Sequence, residues 1–290
     1  MFSRTKIAGI AIVAVLFFSI SCVTKINEKE DRTSFWEGVS SYLIAADCSA
    51  KLAKPQAGRV YTTGFESVSE FSQFYIVPQN YQNAASHELS SSVARSGNAH
   101  HSWIYANGPS CPPWINCNHR GYPTIQLHKT AQGGFRTPIY LELYAYIDAT
   151  ISAGEWFSFA TLTPDASDAW ARTVLVNLGN LNLGGGNFMH LMHVPVQGRS
   201  DWDFQTSPTN SPTPFPFQQW VRLEVCLDLD PTAGFAKVRQ DGVKVSEAKV
   251  QGGCGILEQA HFGLYAPPNL SSGNFYNDDL TISEVASCPF

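Results

Sequence analysis

The chain lacks a hydrophobic run long enough to cross a bilayer. Its N-terminal apolar stretch, Ile7 to Ile20, spans 14 residues, and a membrane helix needs about 20. It also lacks any run of Lys and Arg. Charged residues make up only 15%, and 24 Asp and Glu outweigh 19 Lys and Arg. Phosphate backbones are bound through basic patches, so nucleic acid is excluded as an expected partner. No internal repeat and no shift of composition divides the chain. No long stretch carries a helical hydrophobic period. His and Cys are not set at the spacings of a zinc site: Cys111 and Cys117 have no second Cys pair beside them.

What is there begins with an address. Arg4 and Lys6 precede the apolar run, and Ser19-Ile20-Ser21 supplies a small-x-small cleavage site before Cys22. This is the arrangement of a secretory signal peptide over residues 1–21. A Cys at that point resembles the lipobox of bacterial lipoproteins, although Ser19 stands where Leu is usual. The expectation is lipidation of Cys22, against plain signal cleavage. It implies attachment to a membrane through an N-terminal lipid, at the bacterial outer membrane or cell surface. Removing Arg4 and Lys6 makes the remaining chain more acidic than the formal net of −5 for the whole. Residues 23–34 are polar, as in a tether, and Phe35 to Leu52 form either a short amphipathic helix or an irregular docking segment. Residues 22–60 are therefore expected to be anchor, tether and docking segment, and residues 61–290 a single β domain.

The seven cysteines are Cys22, Cys48, Cys111, Cys117, Cys226, Cys254 and Cys288. Assigning Cys22 to lipid leaves six, enough for three disulfides in an oxidising compartment. Many connectivities are open. Chain proximity suggests Cys111–Cys117 and Cys226–Cys254, leaving Cys48–Cys288.

From about Tyr61 the pattern is β. Ile139, Leu141, Leu143, Ala145 and Ile147 alternate with Tyr140, Glu142, Tyr144 and Tyr146, the period of a half-buried strand. Trp220 to Leu229 alternates likewise, with Arg222, Glu224, Cys226 and Asp228 on its polar side. Ala236–Arg239, Asp241-Gly242 and Val243–Val245 read as a hairpin. Further strands are expected at Thr124–His128, Trp156–Leu162, Thr173–Leu178, Met189–Val194, His261–Tyr265 and Leu280–Val285. Gly184-Gly185-Gly186 reads as a turn or bulge, and Gln205 to Phe217, with four Pro, as a long surface loop. The fold class expected is an all-β sandwich or jelly roll.

Three stretches carry a resemblance. They are Gly64-Phe65-Glu66-Ser67; Gln219-Trp220-Val221-Arg222-Leu223-Glu224-Val225 with the Asp-Gly hairpin; and His261-Phe262-Gly263-Leu264-Tyr265 followed by Tyr276-Asn277-Asp278-Asp279-Leu280-Thr281-Ile282. Together, over residues 60–287, they resemble the concanavalin A-like lectin/glucanase superfamily, nearest to its alginate and heparin lyase-type jelly rolls. The resemblance implies a concanavalin A-like β-sandwich (jelly roll) and a polysaccharide or glycan partner. It leaves open binding, polysaccharide lyase chemistry and a structural or host-contact role.

The glucanase motif E-x-D-x-x-E is missing, so the paired carboxyls of retaining hydrolysis, about 5–5.5 Å apart, have no candidates. For a lyase, Gln126-Leu127-His128 resembles the Q-[IV]-H motif and Gly263-Leu264-Tyr265 the late G-x-Y. The resemblance then implies Gln126 holding a uronate carboxyl, His128 as base and Tyr265 as acid. Two departures weigh against it: the strand that should carry the His is Trp156–Leu162, which has none, and the Arg-Glu-rich strand is only echoed by His87-Glu88-Leu89-Ser90.

A sugar-binding face is expected at Tyr140, Glu142, Tyr144 and Tyr146, with Arg222 beside it, because aromatic faces and hydroxyls suit sugar rings. The alternative is that loops such as 205–217 cover it. Trp114, Trp170 and Trp202 are further stacking candidates. Glu66, Asp278 and Asp279 are candidates for a structural Ca²⁺, which takes about six to eight oxygens; otherwise they are solvated turn residues. His190 and His193, three apart on a strand, point to opposite faces and so do not converge on a metal. His100-His101 carries no specific signal.

Overall fold

The computed structural model describes residues 48–49, 58–71, 80–82, 84–108, 117–129, 133–166, 170, 172–179, 186–194, 203–205, 213–250 and 253–290. The signal segment, Cys22, the tether, Cys111, Trp114, Trp202, Gly184-Gly185 and most of both the 35–52 segment and the 205–217 loop lie outside them.

The strands form two antiparallel sheets. The first is built from β1 (Val60–Thr63), β3 (Ala85–Ser90), β4 (Ala99–Ile104), β8 (Ile139–Asp148), β13 (Val221–Asp228), β14 (Phe235–Gln240), β15 (Val243–Lys249) and β18 (Gly273–Glu284), in the order β15-β14-β13-β8-β18-β4-β3 with β1 also on β18. The second contains β2 (Asn80–Gln82), β5 (His119–Tyr122), β6 (Thr124–Ile125), β9 (Trp156–Thr163), β10 (Thr173–Gly179), β11 (Phe188–Val194), β12 (Asp203–Gln205) and β17 (Gln259–Ala266), in the order β12-β11-β10-β9-β17-β5-β2 with β6 on β17. A small ribbon pairs β7 (Phe135–Arg136) with β16 (Ile256–Leu257).

Strand alternation sets the core. Ile139, Leu141, Leu143, Ala145 and Ile147 on β8, with Val221, Leu223, Val225 and Leu227 on β13, are all buried. The two strands pair so that Leu223 lies beside Leu143 and Val225 beside Leu141. Opposite them the second sheet turns in Phe157, Phe159, Val174, Val176, Leu178, Met189, Leu191, Phe262 and Leu264. Phe157 stacks on Phe275 of β18 at 4.4 Å, joining the layers. Phe215, expected in a surface loop, is buried against Phe159 instead.

Two strand expectations change. Thr124–His128 is not one strand: β6 stops at Ile125, and Leu127–Lys129 close a 3₁₀ turn. The Lys129 N–H donates to Gln126 O and closes this turn, while the His128 N–H donating to Glu258 O keeps it beside the start of β17. The last strand runs well beyond the expected Leu280–Val285, because Gly273 to Asn277 pair with β4.

Among the described residues, Cys48 is bonded to Cys254 and Cys226 to Cys288. The expected Cys226–Cys254 and Cys48–Cys288 are therefore wrong, and for a physical reason. Cys226 points outward from β13, opposite Val225 and Leu227. Its cross-strand partner on β8 is Tyr140, whose partner on β18 is Ser283. The tail after β18 folds back over this row and brings Cys288 to Cys226. Meanwhile the β14–β15 hairpin returns the chain to Leu229, whose carbonyl accepts Gly255 N–H, so Cys254 lies past the strand end. Cys117 is disulfide-bonded as well. Disulfides of this kind belong to chains that fold in an oxidising, exported compartment. No helix among the described residues is long and apolar enough to cross a membrane.

Candidate functional site

The lyase trio expected from sequence does not come together. Gln126 is buried and donates to Gln259 Oε1 at 3.1 Å. His128 Nδ1 lies 3.2 Å from Glu258 O. Both therefore sit at the start of β17, whereas Tyr265 sits near its end. Seven residues of strand separate Glu258 from Tyr265, on the order of 20 Å. A base at His128 and an acid at Tyr265 cannot serve one bond.

Tyr265 has other neighbours. On β17 the alternation that buries Ala260, Phe262 and Leu264 turns Gln259, His261 and Tyr265 to the opposite face. Tyr265 is paired with Arg120 of β5, and the guanidinium lies 5.7 Å from the Tyr265 ring centroid. His261 is paired with Thr124 and Thr161 on its two sides. It stacks on Tyr122 at 3.8 Å and contacts Trp170 at 4.7 Å. Tyr265 adds contacts to Trp156 at 5.5 Å and to His261 at 6.2 Å. Rings from four separate segments thus meet on the outer face of the second sheet.

The backbone here is constrained. Trp170 has φ +47°, a conformation unfavourable for a bulky side chain and more often kept at functional positions than elsewhere. Gly263 has φ +118°, and a Cβ there would lie 2.8 Å from His100 Cε1 and 2.9 Å from Gly121 O. Only glycine fits this irregularity, which resets the register between His261 and Tyr265.

Burial, with Arg120 adding like-charge repulsion, holds the His261 imidazole neutral, its pKa well below the usual value. Its two ring nitrogens are buried with no hydrogen-bond partner among the described residues. The same holds for Thr161 Oγ1, Asn177 Oδ1 and Arg120 Nε on this sheet. Unpaired buried polar atoms are costly, so a cluster of them marks a surface suited to a polar ligand or ordered water. Sequence reasoning took Tyr265 as a lyase acid and His261 only as part of its strand. The signal it passed over was the spacing of four, which puts two residues on one strand face.

The expected tyrosine face lies on the outer side of the first sheet, and its residues are divided. Tyr140 donates to Glu224 Oε1 at 2.9 Å and Glu142 Oε2 at 3.1 Å, with Phe290 of the tail edge-on against it. Burial and the two carboxylates raise its pKa. Arg222 is engaged by Glu224 at 3.0 Å and Glu142 at 3.9 Å. Arg95 lies 3.4 Å over the Tyr144 ring. Tyr146 joins a different set, Trp220 and Tyr276.

The acidic candidates meet one loop. Glu66 Oε2 accepts Asn98 N–H at 2.9 Å, and Asp278 Oδ2 accepts Arg95 N–H at 2.8 Å. Asp279 pairs with the Arg95 side chain. A Cβ at Gly97 would lie 2.0 Å from Glu66 Oε2, so glycine admits the carboxylate. Asp278 is fully buried, and burial raises its pKa. No three His, Cys, Asp or Glu side chains gather as a metal-ligating group among the described residues. The carboxylates of Glu66, Asp278 and Asp279 are engaged by N–H and guanidinium donors of this loop. His190 and His193 are both buried on β11, at positions that alternate to opposite faces of the strand.

No protein-family model matches the sequence, and no curated protein matches it. Solved structures do. The chain is similar to the cellulose induced protein Cip1, with TM-score 0.50 and 14% identity, covering 78% of this chain and 99% of that one. It is also similar to the alginate lyase Aly36B, with TM-score 0.46, 10% identity, 82% of this chain and 100% of that one. A third is the family 7 alginate lyase A1-II′, with TM-score 0.43, 12% identity, and coverage of 68% and 85%. The fold is a concanavalin A-like jelly roll. At these identities the likeness is one of fold.

Proposed function

We propose that this protein is an exported polysaccharide-binding jelly roll, tethered to the cell envelope through Cys22, whose ligand lies on the outer face of the second sheet. The observation that carries this reading is the grouping of Tyr122, Trp156, Trp170 and Tyr265 around a neutral, buried His261 among unpartnered polar atoms. Aromatic faces receive the apolar side of a sugar ring, and the hydroxyl of the half-buried Tyr265 can meet its hydroxyls. Arg120 gives the site a cation, which favours an acidic sugar such as a uronate.

A second reading draws on the same geometry. Tyr265 is half-buried, beside a guanidinium and an imidazole, which are the parts that β-elimination on a uronate requires. In that reaction a base removes the C5 proton, the C4=C5 double bond forms, and the C4–O bond breaks as an acid protonates the leaving oxygen. Arg120 would offset the carboxylate charge, and Tyr265 would move the proton. The grouping of Arg120, His261 and Tyr265 makes this the activity to test.

Isothermal titration with alginate and glucuronan oligosaccharides tests the binding reading, and ultraviolet absorbance of the unsaturated uronate tests the lyase reading. Binding lost in Arg120→Ala and Tyr265→Ala, both shown folded, is the expected result. Binding that persists unchanged in both overturns the site. Turnover that vanishes in Tyr265→Phe while binding remains would make the protein a lyase.

A further inference from the structure

The outer face of the first sheet carries a row of rings that the site above does not use. The pairing register places His101 of β4, Tyr276 of β18 and Tyr146 of β8 side by side, one on each successive strand. Trp220 directly precedes Val221, the partner of Ala145, and so continues the row beside Tyr146. The rings touch along its length. His101 stacks on Tyr276 at 4.3 Å and 7°, Tyr276 meets Tyr146 at 5.7 Å, and Tyr146 meets Trp220 at 5.7 Å. Trp103 stacks on His101 at 4.9 Å and extends the patch to the next row.

Four adjacent strands at about 4.8 Å spacing make the row about 15 Å long, the length of a short oligosaccharide. Amide groups flank it. Asn274 Oδ1 lies 3.0 Å from His101 Nε2, and Gln218 donates to Asp148 at 2.8 Å, both within one residue pair of the rings. Gln218 itself is held at φ +57°.

The charges around the row identify the ligand class. Glu88 beside His101 has a side chain 53% exposed, and Asp148 is exposed at the other flank. The nearby cations are engaged: Arg222 by Glu224 and Glu142, Arg95 by Asp279 and the Tyr144 ring. An acidic rim with neutralised arginines repels a polyanion and leaves ring stacking and amide hydrogen bonds as the attractive terms. We propose that this face is a second sugar-binding surface, separate from the Arg120 face, which takes a neutral polysaccharide laid across the strands over the half-buried Trp103, Tyr146 and Trp220, with His101 and the buried Tyr276 packed between them.

The test is native electrophoresis of the full chain through gels containing hydroxyethylcellulose, laminarin or alginate. The neutral polymers should retard the wild type. Tyr146→Ala/Trp220→Ala should weaken that retardation about tenfold, as expected for losing two stacking contacts, and Trp220→Phe alone, which keeps a ring at this position, should largely retain it. Tryptophan fluorescence of the wild type should shift on adding a neutral oligosaccharide, which keeps the test open if the double variant fails to fold. Absence of retardation and of a fluorescence shift on every neutral polymer overturns the proposal. So does retardation equal in the folded double variant, or a dimer in solution that the double variant dissociates. Loss of alginate binding alone concerns only the Arg120 face.

Discussion

Cys226 and Cys288 are joined across the outward side of β8, with Tyr140 lying in the row between their strands. The tail that makes this bond is held further by Lys237 Nζ, which donates to Phe290 O at 3.2 Å, and by Arg239, 4.0 Å from the Phe290 ring.

Removing this bridge in Cys226→Ser/Cys288→Ser should lower stability by about 2–4 kcal/mol, because the bond closes a long loop in the unfolded chain. Urea melts under non-reducing conditions measure it. Removing Cys48→Ser/Cys254→Ser should cost at least as much, since its loop is longer, with separations of 206 against 62 residues. A loss below about 0.5 kcal/mol for either pair would contradict the account.

Stability should fall in mild acid. Burial lowers the pKa of His87 and His190 to about 4 each and that of His261 and His100 well below the usual value. Unfolded histidine titrates near 6.5. Between about pH 6.5 and 4 the unfolded chain therefore binds protons that the native chain refuses, so stability drops as pH falls through this window. The slope is about 1.4 kcal/mol per pH unit for each fully buried histidine and less for the half-buried His87. Melts at pH 7.5, 6 and 5 should show it; equal midpoints at all three would refute it. His190→Asn should flatten the slope by about one histidine's share.

Calcium should stabilise the fold if Glu66 and Asp278 hold it. At saturating Ca²⁺, a hundredfold over Kd adds about 2.7 kcal/mol. Wild type should melt higher in CaCl₂ than in EGTA, and Glu66→Gln and Asp278→Asn should not respond. A wild-type midpoint indifferent to both additions would remove calcium from this loop.

Much of the fold was legible because strand alternation is local. The faces of β8 and β13 and the Asp241-Gly242 turn follow from neighbours in sequence, and hydrophobic burial enforces them. The site was not, because its partners are distant in sequence. Gln126-Leu127-His128 alternates like a strand, yet the Lys129 N–H donating to Gln126 O closes it into a 3₁₀ turn. His261 acquires its role from Tyr122 and Trp170, which no local pattern joins to it. The same holds for the cysteines, whose pairing depends on where the tail crosses the sheet.

The Cys48–Cys254 bond sets the route by which mechanical load crosses the molecule. A pull applied to the chain before Cys48 and to the last residue enters at Cys48 and passes directly to Cys254, from which two routes reach Cys288: forward through β17 and β18, or back through β15 and β14 to its partner Cys226. Residues 49–225 lie outside both. The Arg120 strand, β9 and most of the aromatic row are therefore shielded from tension, and a force applied to the two chain ends does not draw those strands out of register.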